Sequence, residues 1–173
     1  HWAHRAVRAL AARHVVTGTD ERRFLPDGAT TRAEFAALLV RAFGIAQPSS
    51  AAAAPFGDVD AGKWYATVVQ AAHSAGIVQG AAPDRFEPDA RITREQMALM
   101  LVRAAEWAKL EGSADGPGLV GYQDGADVSG WAAEAVARAI AAGWMKGRKP
   151  GYFEPAEPVT RAEAAQAIWN LLR

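Results

Sequence analysis

Three stretches of this chain place apolar residues at helical spacing behind a tryptophan, at Trp2, Trp64 and Trp131. The second shows the pattern best, with Trp64, Val68, Ala71, Ala72 and Ala75 on one face before Gly76. Each Trp therefore predicts the start of an Ala-rich helix of about a dozen residues, closed by a glycine where one is present. A short apolar pair follows, Val15-Val16, Ile77-Val78 or Trp144-Met145, and then a loop rich in Pro, Asp and Gly with at most brief extended pieces. A second apolar run comes next: Phe35, Leu38, Leu39 and Ala42; Met97, Met100, Leu101 and Ala104; Ala164, Ala165, Ile168 and Leu172. These i, i+3, i+4, i+7 patterns predict a second helix in each stretch and an all-α fold.

The three stretches are copies of one unit. Aligned on the tryptophans, glycine recurs at Gly18, Gly80 and Gly147, phenylalanine at Phe24, Phe86 and Phe153, and proline at Pro26, Pro88 and Pro155. A shared tetrapeptide position follows, as Thr31-Arg32-Ala33-Glu34, Thr93-Arg94-Glu95-Gln96 and Thr160-Arg161-Ala162-Glu163. The expected units are 1–45, 56–110 and 122–173, with linkers at 46–55 and 111–121. Units of roughly 50 residues bury too little surface to fold alone, so the three should pack into one body, with pseudo-threefold symmetry.

Thr-x-x-Glu or Thr-x-x-Gln ahead of an apolar run is a capping box, which assigns Thr31 with Glu34, Thr93 with Gln96 and Thr160 with Glu163 to helix starts. It leaves Arg32, Arg94 and Arg161 unexplained, because a cation in the first turn meets the positive end of the helix dipole. Two readings compete. Beside free first-turn amides the guanidinium makes a carboxylate or phosphate site; alternatively it bridges to an acid of its own unit or to loop carbonyls. The tryptophans are expected first as core anchors of the first helices, although a flat indole also suits the apolar face of a sugar. Phe24, Phe86 and Phe153 read as loop core. Gly18, Gly80 and Gly147 read as positive-φ positions or points of close backbone approach.

Charge and composition narrow the function. Nineteen basic residues balance nineteen acidic ones, which argues against bulk capture of nucleic acid. The absence of cysteine removes disulfides and Cys-based zinc sites. No apolar run reaches the ~18 residues of a membrane span, and the sequence from His1-Trp2 onward does not open with a basic-then-apolar leader pattern. His1, His4 and His14 cluster in the first unit without counterparts in the others, so no metal or cofactor site is assigned. No acid pair or nucleophile elbow marks an enzyme such as a wall hydrolase; the other alternative, a protein-interaction or self-assembly helical repeat, predicts an exposed apolar groove and gives the three first-turn arginines no use. The loop cations Arg22, Arg23, Arg85, Arg148 and Lys149 read as solvated surface charge that could add attraction for an anionic polymer.

Phe56-Gly57-Asp58 before Trp64, Tyr122-Gln123-Asp124 before Trp131, the Trp-led helix, Gly-then-Phe-x-Pro and Thr-Arg-x-Glu together resemble the S-layer homology family, over nearly the whole chain outside the linkers. The resemblance implies a three-pronged pseudotrimer around a central helical bundle. It also implies a non-catalytic module at the bacterial cell wall or S-layer. Such a module anchors surface proteins to an acidic secondary cell-wall polysaccharide, often one with pyruvate-ketal N-acetylmannosamine, and has neighbouring domains but no nucleic-acid partner or membrane insertion. Its ligand lies in grooves between prongs. By position that role passes to Arg32, Arg94 and Arg161, with Trp2, Trp64, Trp131, Asp58, Asp124, Gly18, Gly80 and Gly147 as groove partners. Three departures predict unequal grooves: the first unit has no aromatic-x-Asp segment, the second carries Glu95-Gln96 for Ala-Glu, and the third has Asp127 competing with Asp124.

Overall fold

The computed structural model describes residues 1–18, 23–50, 55–112, 116 and 118–173. It contains α1 (His4–Ala12), α2 (Arg32–Ala42), α3 (Ala66–Ser74), α4 (Arg94–Trp107), α5 (Ala133–Ala141) and α6 (Arg161–Leu171), with short 3-10 turns at Gly118–Gly121 and Gly125–Asp127. Among the described residues the extended pieces are isolated bridges, so the fold is all-α. No described helix is long and apolar enough to cross a membrane.

The Trp-led helices are nine residues long, shorter than the dozen expected, and start two residues after each Trp. Their core face is shifted by one residue from the predicted one. Ala3, Ala6 and Leu10, Tyr65, Val68, Val69 and Ala72, and Ala132, Ala135, Val136 and Ala139 are buried, whereas Trp2, Trp64 and Trp131 are 61%, 57% and 57% exposed. The core-anchor role expected of the tryptophans is therefore not the one they have. Gly76 and Gly143 end α3 and α5 at φ +74° and +72°. There the Ile77 N–H reaches the Ala72 carbonyl and the Gly76 N–H the His73 carbonyl, a Schellman closure. His14 occupies the same left-handed position after α1, at φ +56°.

The second helices all begin with complete capping boxes, at Thr31/Glu34, Thr93/Gln96 and Thr160/Glu163. Alanines on α2, α4 and α6 let these three helices approach closely, and each touches the other two. Each first helix then packs on the second helix of the preceding copy: α3 on α2, α5 on α4, and α1 on α6. The order is cyclic. A hydrogen-bond ring closes it, from the Thr30 amide to the Val159 carbonyl, from Val159 to Ile92, and from Ile92 back to Thr30. Glu95 adds a latch to the third copy, its carboxylate accepting from the Ser129 amide and hydroxyl, both at 2.9 Å. Gly118–Gly121, inside the expected second linker, packs against α5.

Candidate functional site

The first-turn arginines point into the loop of the next copy. Arg32 Nε donates to the Phe86 carbonyl (2.7 Å) and Nη2 to the Gln79 carbonyl (3.3 Å). Arg94 repeats this with Phe153 (2.7 Å) and Lys146 (2.6 Å), and Arg161 with Phe24 and Thr17 (2.8 Å each). Each guanidinium lies over the ring of the same phenylalanine, 4.7–4.8 Å from its centre. Arg32 and Arg94 are 5% and 3% exposed, and burial pushes both guanidiniums below their ordinary pKa.

The amides assumed free in the sequence reading are occupied. Arg32 and Ala33 donate to the Ala90 and Pro88 carbonyls, Arg94 and Glu95 to Glu157 and Pro155, and Arg161 and Ala162 to Gly28 and Pro26. The following amide goes to the capping threonine. The helix ends hold loop carbonyls where an anion was expected, and those carbonyls offset the dipole cost of the arginine. What remains for a ligand is the outer side of the guanidinium. Of its five N–H groups, Arg32 and Arg161 use two each; Arg94 uses a third on Glu163 at 3.1 Å.

The acids and glycines have interior work. Asp58 accepts from the Phe86 and Glu87 amides, both at 2.8 Å, and Asp124 from Phe153 (2.8 Å) and Glu154 (2.7 Å). Burial alone would raise both carboxyls, but the amide bonds outweigh it and hold them below the usual range. Asp127 is exposed and its amide bonds the Asp124 carbonyl, so Asp124 keeps the position matching Asp58. Glu87 and Glu154 lie at φ +59° and +60°, and Leu25 takes the same left-handed position at +49° in the first copy. Gly80 and Gly147 do not adopt positive φ; a Cβ on Gly80 would lie 2.3 Å from the Ala82 carbonyl oxygen, and on Gly147 2.5 Å from both Tyr152 O and the Tyr122 ring. Close approach is their reason. Phe86 and Phe153 are fully buried beside Phe56 and Tyr122, whereas Phe24, whose copy has no aromatic-x-Asp counterpart in this chain, is half-buried.

Among the described residues, each first-turn arginine lines a groove between copies, and each of these three grooves draws on all three copies. The first, of about 310 Å³, brings together Arg161, the Gly18 and Phe24 loop, Glu34 and Arg41 of α2, and Trp64. The second, of about 360 Å³, has Arg32, the Gly80 loop, Gln96 and Arg103 of α4, and Trp131. The third, of about 70 Å³, has Arg94, Lys146, Glu163 and Asn170 of α6, and Trp2. Arginines, tryptophans, Gly18 and Gly80 thus converge, while Gly147, Asp58 and Asp124 stay out of the groove walls. Missed by sequence reading were Arg41, Arg103 and Asn170, which stand at one register position, ten residues after the capping threonine.

Arg148, read as free surface charge, grips Glu163 through Nε and Nη2 at 2.9 Å each, and its own pKa is raised by that bond. Burial would raise the Glu163 carboxyl, but bonds from Arg148 and the Thr160 amide lower it. Lys149 pairs with Glu154 at 2.6 Å, and Arg85 lies 4.0 Å from Glu87. Arg22 lies outside the described residues. No group of three metal-ligating side chains occurs among the described residues, His1 and His4 included.

The S-layer homology domain pattern matches residues 1–36, 55–98 and 121–165. An amylopullulanase of Thermoanaerobacterium thermosulfurigenes is 35% identical over 99% of this chain, and an endoglucanase of Bacillus sp. (strain KSM-635) 37% over 99%. An S-layer protein of Bacillus thuringiensis subsp. finitimus is 31% identical over 97%. The chain spans 9%, 18% and 20% of the length of these three relatives.

Proposed function

The chain belongs to the S-layer homology domain family, a non-catalytic anchoring module at the cell surface, and from that premise we propose that it binds an acidic, pyruvylated secondary cell-wall polysaccharide in its grooves. One observation carries this reading: each groove joins a guanidinium from one copy, a loop and helix from the next, and a solvent-exposed indole from the third. A Trp more than half exposed adds little to a core, but it offers a sugar ring a flat apolar wall. The outer guanidinium N–H groups supply charge-assisted bonds to a carboxylate on that ring. The polymer is sparsely charged, so positioned cations suffice and the chain's zero net charge is no obstacle. Neighbouring domains of a larger surface protein would be held at the wall by this contact.

The exposed tryptophans test the reading without disturbing the interior. Trp64→Ala with Trp131→Ala should leave the melting curve within about 0.5 kcal/mol per site, while binding to purified wall polymer in a pelleting assay falls about tenfold per groove. Removing the pyruvate ketals should weaken binding of the unaltered protein comparably. Pelleting of the double variant at wild-type strength would overturn the reading.

A further inference from the structure

The second groove holds two arginines on one neutral residue. Gln79 accepts Arg32 Nη2 at its main-chain oxygen (3.3 Å) and Arg103 Nη2 at its side-chain oxygen (2.9 Å), so both guanidiniums are brought to the same wall of the cavity that Trp131 lines. Among the described residues no carboxylate lies within ion-pair distance of either. Burial lowers the pKa of both, with Glu87 and Asp58 opposing it from farther off at Arg32 and Glu106 at Arg103. Two like charges partly withdrawn from water with no counter-ion are a cost to folding that a bound anion would reverse. The capping residue facing this groove is Gln96, the one uncharged member of the set Glu34, Gln96 and Glu163.

The third groove shares the burial of its first-turn arginine but differs in ion pairing, in its second polar residue and in size. Its capping residue Glu163 bonds Arg94 Nη1 at 3.1 Å and is clamped by Arg148, so a carboxylate of the protein already occupies the guanidinium face that a ligand acid would use. Asn170 stands where Arg103 stands. The cavity is about a fifth the size of the second.

We propose that Arg103, organised by Gln79, forms with Arg32 a two-arginine clamp that makes the second groove the principal site for a carboxylate-bearing sugar, and that Glu163 closes the third groove to that sugar as an internal carboxylate. The inference rests on the reading of the grooves as glycan sites and adds which groove works and by which residues. The first groove, with Arg161 and Arg41 against Glu34, is intermediate. Two guanidiniums bring two charges to one carboxylate, whereas Arg94 beside Asn170 brings one charge that Glu163 already pairs.

Calorimetry on the whole chain decides it, with the methyl glycoside of pyruvate-ketal N-acetylmannosamine as probe and the same sugar without the ketal as control. Arg103→Asn copies the third groove and should weaken the tightest site about 10- to 100-fold, while shrinking its preference for the pyruvylated probe. Gln96→Glu should do the same by introducing a carboxylate. Glu163→Gln, which keeps a capping box of the kind Gln96 already makes, should add one site to the stoichiometry. Unchanged affinity in Arg103→Asn, or three equal sites in the unaltered chain, overturns the clamp and leaves the glycan reading standing. Absence of binding to either probe by the unaltered chain overturns the glycan reading itself.

Discussion

The axis of the molecule and the mouths of its grooves are made from the same three copies of sequence, yet one is nearly uniform and the other is not. At the axis, three arginines, three phenylalanine carbonyls and three pairs of first-turn amides repeat the same contacts from copy to copy. At the mouths, Arg41, Arg103 and Asn170 occupy one position, and Glu34, Gln96 and Glu163 another. The interior acceptors are backbone carbonyls. Thr17, Gln79 and Lys146 have unlike side chains but offer an arginine the same oxygen. A scaffold that docks on main chain lets its side chains vary without loss of the fold, and that freedom gives each groove its own chemistry.

The sharpest way to break the comparison is at Arg94, which belongs to both regions. Arg94→Ala strips the Phe153 and Lys146 carbonyls of their donor and removes one partner of half-buried Glu163. We expect a loss of about 3 kcal/mol and a fall of roughly 6–12 °C in melting temperature by scanning calorimetry. Arg94→Lys, with one point charge for a planar fork, should recover less than half of it. A loss confined to glycan binding, with the melt unchanged, would mean that the axis does not depend on this staple.

Asp124 tests how the loop that receives Arg94 is held. Asp124→Ala leaves the Phe153 and Glu154 amides without their acceptor, with an expected loss of about 2 kcal/mol at neutral pH. The pH dependence follows from the lowered carboxyl. A folded-state pKa below the ordinary 3.8 gives stability that is fully present above that value and lost as pH falls through the folded one. Glu163, lowered from 4.5, acts in the same direction. Melts of the unaltered chain should therefore drop steeply below about pH 4, and the gap between it and Asp124→Ala should narrow there. A gap that is constant down to pH 2 would contradict the assigned role.

Much of this architecture was legible. Three ungapped registers gave the repeats, Thr-x-x-Glu gave the capping boxes, and Gly76 gave a helix end. The tryptophans misled because size and apolarity pointed inward. The residues one, four, five and eight places on, Tyr65, Val68, Val69 and Ala72 in the second copy, form an i, i+3, i+4, i+7 face without the Trp, and the same shift works in all three. The arginines were half legible: loop carbonyls were one of the two readings, but which carbonyls, and in which copy, was not. A guanidinium that bonds carbonyls leaves no mark on the side chains of its partners, and linear sequence does not say that copy one docks on copy two and copy three on copy one. The interior role of Asp58 was hidden likewise, since its partners are amides 28 and 29 residues away.

The smallest change goes to the one place where the axis itself is uneven. Thr30, Ile92 and Val159 hold equivalent positions in the ring, and Thr30, only 1% exposed, alone brings a hydroxyl. Its Oγ1 has no hydrogen-bond partner among the described residues. A buried hydroxyl left unpaired costs about 1–3 kcal/mol relative to one in water, and valine replaces it with a methyl of nearly the same shape. Thr30→Val should therefore raise stability by about 1 kcal/mol, seen as a melting temperature higher by roughly 2–4 °C. The ring would then be apolar in all three copies. Because Thr30 also lines the first groove, a destabilised variant would show instead that the hydroxyl serves the groove, and that the boundary between uniform axis and varied mouths runs through this residue.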